Sequence, residues 1–156
     1  MNDFSDLLRH DTVLAGVSAA NKKTLFQALA AAAAGPAGQD AKLLADVLLE
    51  REKLGSTGFG GGVAIPHGKL PGLTQIVGVF ARLAQPVDFQ AVDDMPVDLV
   101  FAMFSPADAG SAHLKALARI SRRLRDKGFV AKLRGAGSPD AIWALLTQDE
   151  ARDAAA

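Results

Sequence analysis

Cysteine is absent from the 156-residue chain. Disulfides, thiol catalysis and cysteine-ligated metals are thereby excluded. Net charge is absent too, with 17 basic side chains against 17 acidic ones. No overall field draws the chain to nucleic acid or to anionic lipid. No stretch reaches the ~20 consecutive apolar residues that span a bilayer. The start, Met1-Asn2-Asp3-Phe4-Ser5-Asp6, is acidic and leads into no apolar run, so the reading predicts no secretory signal, no membrane insertion and a cytoplasmic protein. The three histidines, His10, His67 and His113, form no i, i+4 pair, and no His/Asp/Glu cluster has ligand spacing. A metal site is not expected. Nor is there an internal repeat or a dividing linker, so residues 1–156 read as one domain.

What is present is apolar: hydrophobic residues make up 49% of the chain, enough for a folded core. Residues 1–17 read as a lead-in with Leu7, Leu8, Val13 and Leu14 available for packing. A first helix is expected from a Ser18 cap to Gly35-Pro36, with Leu25, Phe26, Leu29, Ala30 and Ala33 recurring at helical spacing. A second is expected after Asp40, burying Leu43, Leu44, Val47 and Leu48 and ending in charged residues before Gly55. Strands are expected at Val63–Ile65, stopped by Pro66, at Ile76–Leu83, at Val87–Phe89 and at Val97–Phe104. The last is nearly all apolar, as a strand covered on both faces should be. Ser111 is expected to cap a helix with Leu114, Leu117, Ile120 and Leu124 inward and Arg119, Arg122, Arg123 and Arg125 outward. A short helix over Phe129–Leu133 follows. Ser138-Pro139 then starts the last helix, which buries Ile142, Trp143, Leu145 and Leu146. The tail Asp149–Ala156 reads as frayed. Helix pairs around a few strands make a three-layer α/β/α sandwich with a small sheet.

The unusual stretch is Gly55–Lys69, which holds six of the chain's 15 glycines. Such a run serves close backbone approach or tight turning. It fits neither nucleotide template. The spacing from Gly62 to Gly68-Lys69 is wrong for a phosphate loop, with Leu70 in place of a hydroxyl, and Ile65 stands where a dinucleotide fingerprint needs its third glycine. His67 is the sharper feature. Pro66 fixes the backbone before it and Gly68 removes bulk after it, which opens an imidazole to an incoming group. Neutral imidazole is a nucleophile near neutral pH, and its nitrogen–phosphorus product can be passed on. A histidine satisfied at a strand end fits the same spacing equally well.

Phosphoryl transfer needs positioning and charge stabilisation more than covalent help. Arg51 offers a guanidinium fork. Ser56 and Thr57 offer hydroxyls, and Gly58, Gly60 and Gly62 offer backbone N–H groups to an anion. Taken singly, Arg51 reads as a solvated helix end and Ser56-Thr57 as a turn. His113, just inside its helix, can donate an N–H to a phosphoryl group or serve as a surface residue. His10 reads as surface. The arginine face lacks interleaved aromatics and reads as solvated, with no nucleic-acid role.

Glu52 followed after six residues by Phe59-Gly60-Gly61-Gly62-Val63-Ala64-Ile65-Pro66-His67-Gly68 resembles the phosphohistidine signature of type-2 enzyme IIA domains, the fructose/mannitol class of the bacterial phosphoenolpyruvate phosphotransferase system. The resemblance extends over almost the whole chain. Arg51–Gly58, Ala64–Leu70, Pro96–Ala102 and His113-Leu114 with Arg123-Leu124 are most similar to the nitrogen-regulatory branch. The resemblance implies a doubly covered mixed sheet, phosphorylation of His67 by an HPr-like carrier, and Arg51 and His113 flanking the phosphoryl group, with no cofactor. It implies output through binding to proteins such as potassium-transport components and sensor kinases. The alternative is a sugar-specific IIA passing phosphate to a separate IIB protein. Gly61 departs from the asparagine common in relatives, which removes any side-chain hydrogen bond from that position.

Overall fold

The computed structural model describes residues 3–148. Its centre is β6 (Val97–Pro106), whose apolar run alternates between two cores. Val100, Ala102 and Phe104 face one layer, and Leu99, Phe101 and Met103 face the other. Both faces of this strand are therefore covered, as its composition predicts. Antiparallel to it runs β5 (Val77–Val87), longer than expected, because it absorbs the start of the segment read as a separate strand at Val87. β1 (Val13–Val17) adds to β5 in parallel. On the other side of β6 lie β3 (Val63–Ala64) and β4 (His67–Leu70), one after the other along the same edge and both parallel to it. β2 (Gly58–Gly60) pairs with β3 in reverse. The result is a mixed six-stranded sheet in the order β1-β5-β6-β3-β2, with β4 also on β6.

Helices α1 (Lys22–Ala37) and α2 (Ala41–Lys53) cover one face. α3 (Ser111–Leu124), α4 (Lys127–Gly135) and α5 (Pro139–Leu146), with Phe4, Leu7 and Leu8 of the lead-in, cover the other. The three-layer α/β architecture agrees with the sequence reading. No helix among the described residues is long and apolar enough to cross a membrane.

Several element ends differ from expectation for local reasons. α1 is capped by Asn21, whose side chain accepts from the Thr24 N–H at 2.9 Å; Ser18 takes no part. The helix carries Pro36 in its last turn and stops at Gly38, which adopts a left-handed φ of 63°. Ser111 is the first residue of α3, with Gly110 at the cap position. Asp126 caps α4 through the Gly128 and Phe129 N–H groups, so that helix is longer than Phe129–Leu133. Ser138 and Pro139 start α5 as expected. Pro66 does not end its ladder: its carbonyl accepts from the Met103 N–H at 2.9 Å, and pairing resumes at His67. The tail Asp149–Ala156, read as frayed, lies outside the described residues.

The apolar stripes of two helices are also rotated from their expected positions. In α2, Leu44 and Leu48 are buried, but Leu43 is exposed. In α3, Leu114 is 66% exposed, whereas His113, Ala116, Ile120, Arg123 and Leu124 turn inward. Arg123 is buried because its guanidinium lies 3.7 Å from the Phe129 ring centroid. Arg119 is held by Asp6 through two hydrogen bonds of 3.0 and 2.9 Å and by the Asp3 carbonyl at 2.7 Å, which ties the lead-in to α3. His10 is exposed but stacks on Trp143, with ring centroids 4.0 Å apart.

Candidate functional site

His67 opens β4, so its backbone is fixed by the sheet and not by a loop. Its Nδ1 lies 2.7 Å from the carbonyl oxygen of Ile65. A carbonyl only accepts, so Nδ1 carries the hydrogen and Nε2 keeps the lone pair. The ring lines a cleft of about 770 Å³ together with Arg51, Gly68, Lys69, His113 and the apolar side chains Leu43, Val47 and Leu54. Burial lowers the His67 pKa below the usual 6.5, and the Arg51 charge lowers it further, against the Ile65 hydrogen bond and the Glu52 charge. The ring is therefore neutral at neutral pH, the state that a nucleophile requires.

Gly68 has a specific purpose beside this ring. A β-carbon there would overlap Cγ1 of Val47, so the missing side chain lets α2 approach β4. That approach brings Arg51, one helical turn beyond Val47, to the cleft wall. Arg51 is steadied by one hydrogen bond, from Nη1 to the Gly55 carbonyl at 2.9 Å.

His113 reaches the same cleft from α3, its ring centroid 5.7 Å from that of His67. It is buried, and its Nδ1 lies 2.7 Å from Oγ of Ser105. Burial lowers its pKa below 6.5, and the Lys69 charge, with that of His67 whenever it is protonated, acts in the same direction. Two neutral imidazoles, a guanidinium and the Lys69 ammonium thus share one open cleft with the carboxylates of Asp46 and Glu50, and the imidazoles with the two cations offer donors to an anionic group.

The other residues read as phosphate-binding are engaged elsewhere. Ser56 Oγ donates to the Phe89 carbonyl at 3.0 Å and accepts from the Gly58 N–H at 3.1 Å. Thr57 is buried; its hydroxyl donates to Glu52 at 2.6 Å, and its N–H points to the same carboxylate. Gly58 leaves room for Ala91. Gly60, with Gly61, lines a second cleft, of about 680 Å³, and Gly62 packs beside its Arg134. There Arg134 bonds to Asp98 and to the Gly61 carbonyl, while the Gly61 N–H donates to Asp93. The structure thus brings Arg51, His67 and His113 together and leaves the hydroxyls and the glycine turn outside their cleft.

Lys69, which lines the cleft, was given no site role in the sequence, and neither were two residues that hold the site in place. Glu52, part of the quoted signature, accepts from Lys22 at 2.8 Å as well as from Thr57, and so fastens the end of α2 to α1 and to the loop that follows. Ser105, at the end of an apolar strand, gave no signal at all.

The fold is a mixed-sheet α/β domain with two imidazoles and a guanidinium at one cleft, and comparison with known proteins places it in a family. The family model described as "Phosphoenolpyruvate-dependent sugar phosphotransferase system, EIIA 2" matches residues 6–149. The chain belongs to this family. A nitrogen regulatory protein of Bradyrhizobium diazoefficiens is 50% identical over 143 residues, covering 92% of this chain and 94% of its own length. The protein of the same name from Escherichia coli is 38% identical over 148 residues, covering 94% and 91%. The crystal structure of nitrogen regulatory protein IIA-Ntr from Neisseria meningitidis superposes with a TM-score of 0.84 at 33% identity, covering 91% of this chain and 97% of that one. Within the family, this chain falls in the nitrogen-regulatory branch.

Proposed function

We propose that the chain acts as one phosphoryl-carrying domain, phosphorylated on Nε2 of His67 by an HPr-like phosphohistidine protein, and that its phosphorylation state governs its binding to regulatory targets. The observation that carries the reading is the Nδ1–H of His67 held on the Ile65 carbonyl, which leaves a lone pair on Nε2 of a ring lining an open cleft. In the transfer, the bond between phosphorus and His67 Nε2 forms as the donor's nitrogen–phosphorus bond breaks. The electron pair of that bond returns to the donor ring, which enters protonated on its other nitrogen and so leaves as neutral imidazole, while phosphorylated His67 takes up the positive charge and keeps its Nδ1 proton on the Ile65 carbonyl. Arg51 and His113 flank the incoming group and stabilise its charge. The exposed Leu43 and Leu54 beside the cleft suit contact with a carrier protein in the cytoplasm.

The test is incubation with phosphoenolpyruvate, the general phosphotransferase and an HPr-like carrier, followed by mass spectrometry without acid. Label is expected on His67 and absent from His67→Ala; a variant that still takes up label overturns the site. Rapid sugar-dependent transfer onward to a IIB protein would overturn the regulatory role in favour of sugar transport. Potassium-transport components and sensor kinases are the targets to screen first.

A further inference from the structure

Ser105 lies near the end of β6, opposite Lys69 of β4, with no exposed surface. A buried hydroxyl must place its proton on an acceptor. Among the described residues the hydrogen-bond partner of Ser105 Oγ is Nδ1 of His113, at 2.7 Å. If Nδ1 carried the imidazole hydrogen, the Ser105 oxygen would accept it, and the hydroxyl proton would turn away into the core without a partner, a cost comparable to a lost hydrogen bond. The hydroxyl therefore donates, Nδ1 accepts, and the hydrogen of neutral His113 sits on Nε2. At His67 the partner is a carbonyl, and the opposite tautomer results.

We propose that Ser105 is a positioning residue that holds His113 as its Nε2–H tautomer, so that the second imidazole presents a ready donor to a phosphoryl group on His67. This rests on the carrier role proposed above. The two rings, 5.7 Å apart at their centroids, are then set for opposite tasks by two different partners. A carbonyl makes one ring the nucleophile, and a hydroxyl makes the other the hydrogen-bond donor. A His113 lone pair turned toward the phosphoryl oxygens would repel them. Burial and the neighbouring Lys69 charge keep His113 neutral, so the donor must come from tautomer choice and not from protonation.

The experiment is long-range proton–nitrogen correlation NMR on the unphosphorylated protein, isotopically labelled and held near neutral pH. The expected spectrum shows His113 with an unprotonated Nδ1 and a protonated Nε2, and His67 with the reverse. In Ser105→Ala the His113 tautomers should mix, and label should enter His67 roughly three- to tenfold more slowly, the worth of one hydrogen bond, at unchanged apparent KM for the carrier. Ser105→Thr, which keeps the hydroxyl, should keep the tautomer. A protonated His113 Nδ1 in the wild type overturns the proposal by itself, even if Ser105→Ala fails to fold. An unaltered labelling rate in folded Ser105→Ala overturns it too. Absence of label on wild-type His67 overturns the carrier reading and the donor role with it; a labelled His67 beside a protonated His113 Nδ1 overturns the Ser105 proposal alone.

Discussion

Gly68 and Val47 offer a quantitative test of how the site is assembled. The backbone of Gly68 is not in the left-handed region, so alanine is conformationally allowed there. Its methyl, however, would overlap Val47 Cγ1. Overpacking of this kind costs about 1–3 kcal/mol, offset by about 0.4–1 kcal/mol from the stiffer unfolded chain. Gly68→Ala should therefore destabilise by roughly 1–2 kcal/mol. Val47 is half-buried, so Val47→Ala alone should cost about 1 kcal/mol. With both changes, the nearest atoms to the new methyl are the Val47 carbonyl oxygen at 3.5 Å and its Cβ at 3.7 Å, which is ordinary contact. The double variant should then lie within about 1 kcal/mol of the wild type, a favourable coupling of about 2 kcal/mol. Urea unfolding followed by circular dichroism measures all four corners of the cycle. Phosphorylation should follow stability, because displacing α2 moves Arg51 away from His67. If the double variant loses the sum of the two single losses, the close approach of α2 to β4 is not steric in origin and the reasoning fails.

The remaining tests are independent of that contact. Labelling of His67 should stay level through neutral pH and fall only below the ordinary histidine value of 6.5, because burial and the Arg51 charge depress its pKa; in Arg51→Ala, NMR titration should show the His67 midpoint moving upward with the fold intact. Glu52→Gln should cost about 1–3 kcal/mol in unfolding free energy, since it turns one of two engaged carboxylate oxygens into an NH2 donor and removes the charge facing Lys22. Burial raises the Glu52 pKa, but hydrogen bonds from Lys22 and Thr57 outweigh it and hold the carboxyl below its usual 4.5. That stabilisation is present above 4.5 and lost as pH falls through the folded value, so acid unfolding should be shallower in the variant. Arg134→Ala should cost about 1 kcal/mol, as expected for a partly exposed pair with Asp98, and leave the labelling of His67 unchanged.

Much of this was legible in the sequence. Strand β6 declared its double burial through composition. The proline and glycine around His67 singled it out, although a histidine satisfied at a strand end fits the same spacing, and the structure sets it in a cleft with Arg51 and His113. What stayed hidden depends on contacts between distant segments. Leu114 and Arg123 exchanged their expected sides because His113 must turn to Ser105 and because Phe129, on the next helix, offers its face to a guanidinium. No periodicity within α3 records either partner. Gly58, Gly60 and Gly62 were read as an anion cradle and Gly68 as clearing space beside the ring, but separate packing fits are seen: Gly58 to Ala91, Gly62 to Arg134 and Asp98, Gly68 to Val47. Pattern alone cannot separate a glycine that meets a ligand from one that admits a neighbouring side chain.

The mounting of His67 on β4 has a consequence for recognition. Pro66 and His67 are bonded along β6, so the acceptor's place is settled when the sheet forms. An arriving protein meets a fixed post and has no loop to immobilise, so none of its binding free energy goes into ordering the acceptor. In the proposed carrier role, different donors and targets would share this one centre by matching its surroundings, each adapting its own surface to a nitrogen held by the sheet.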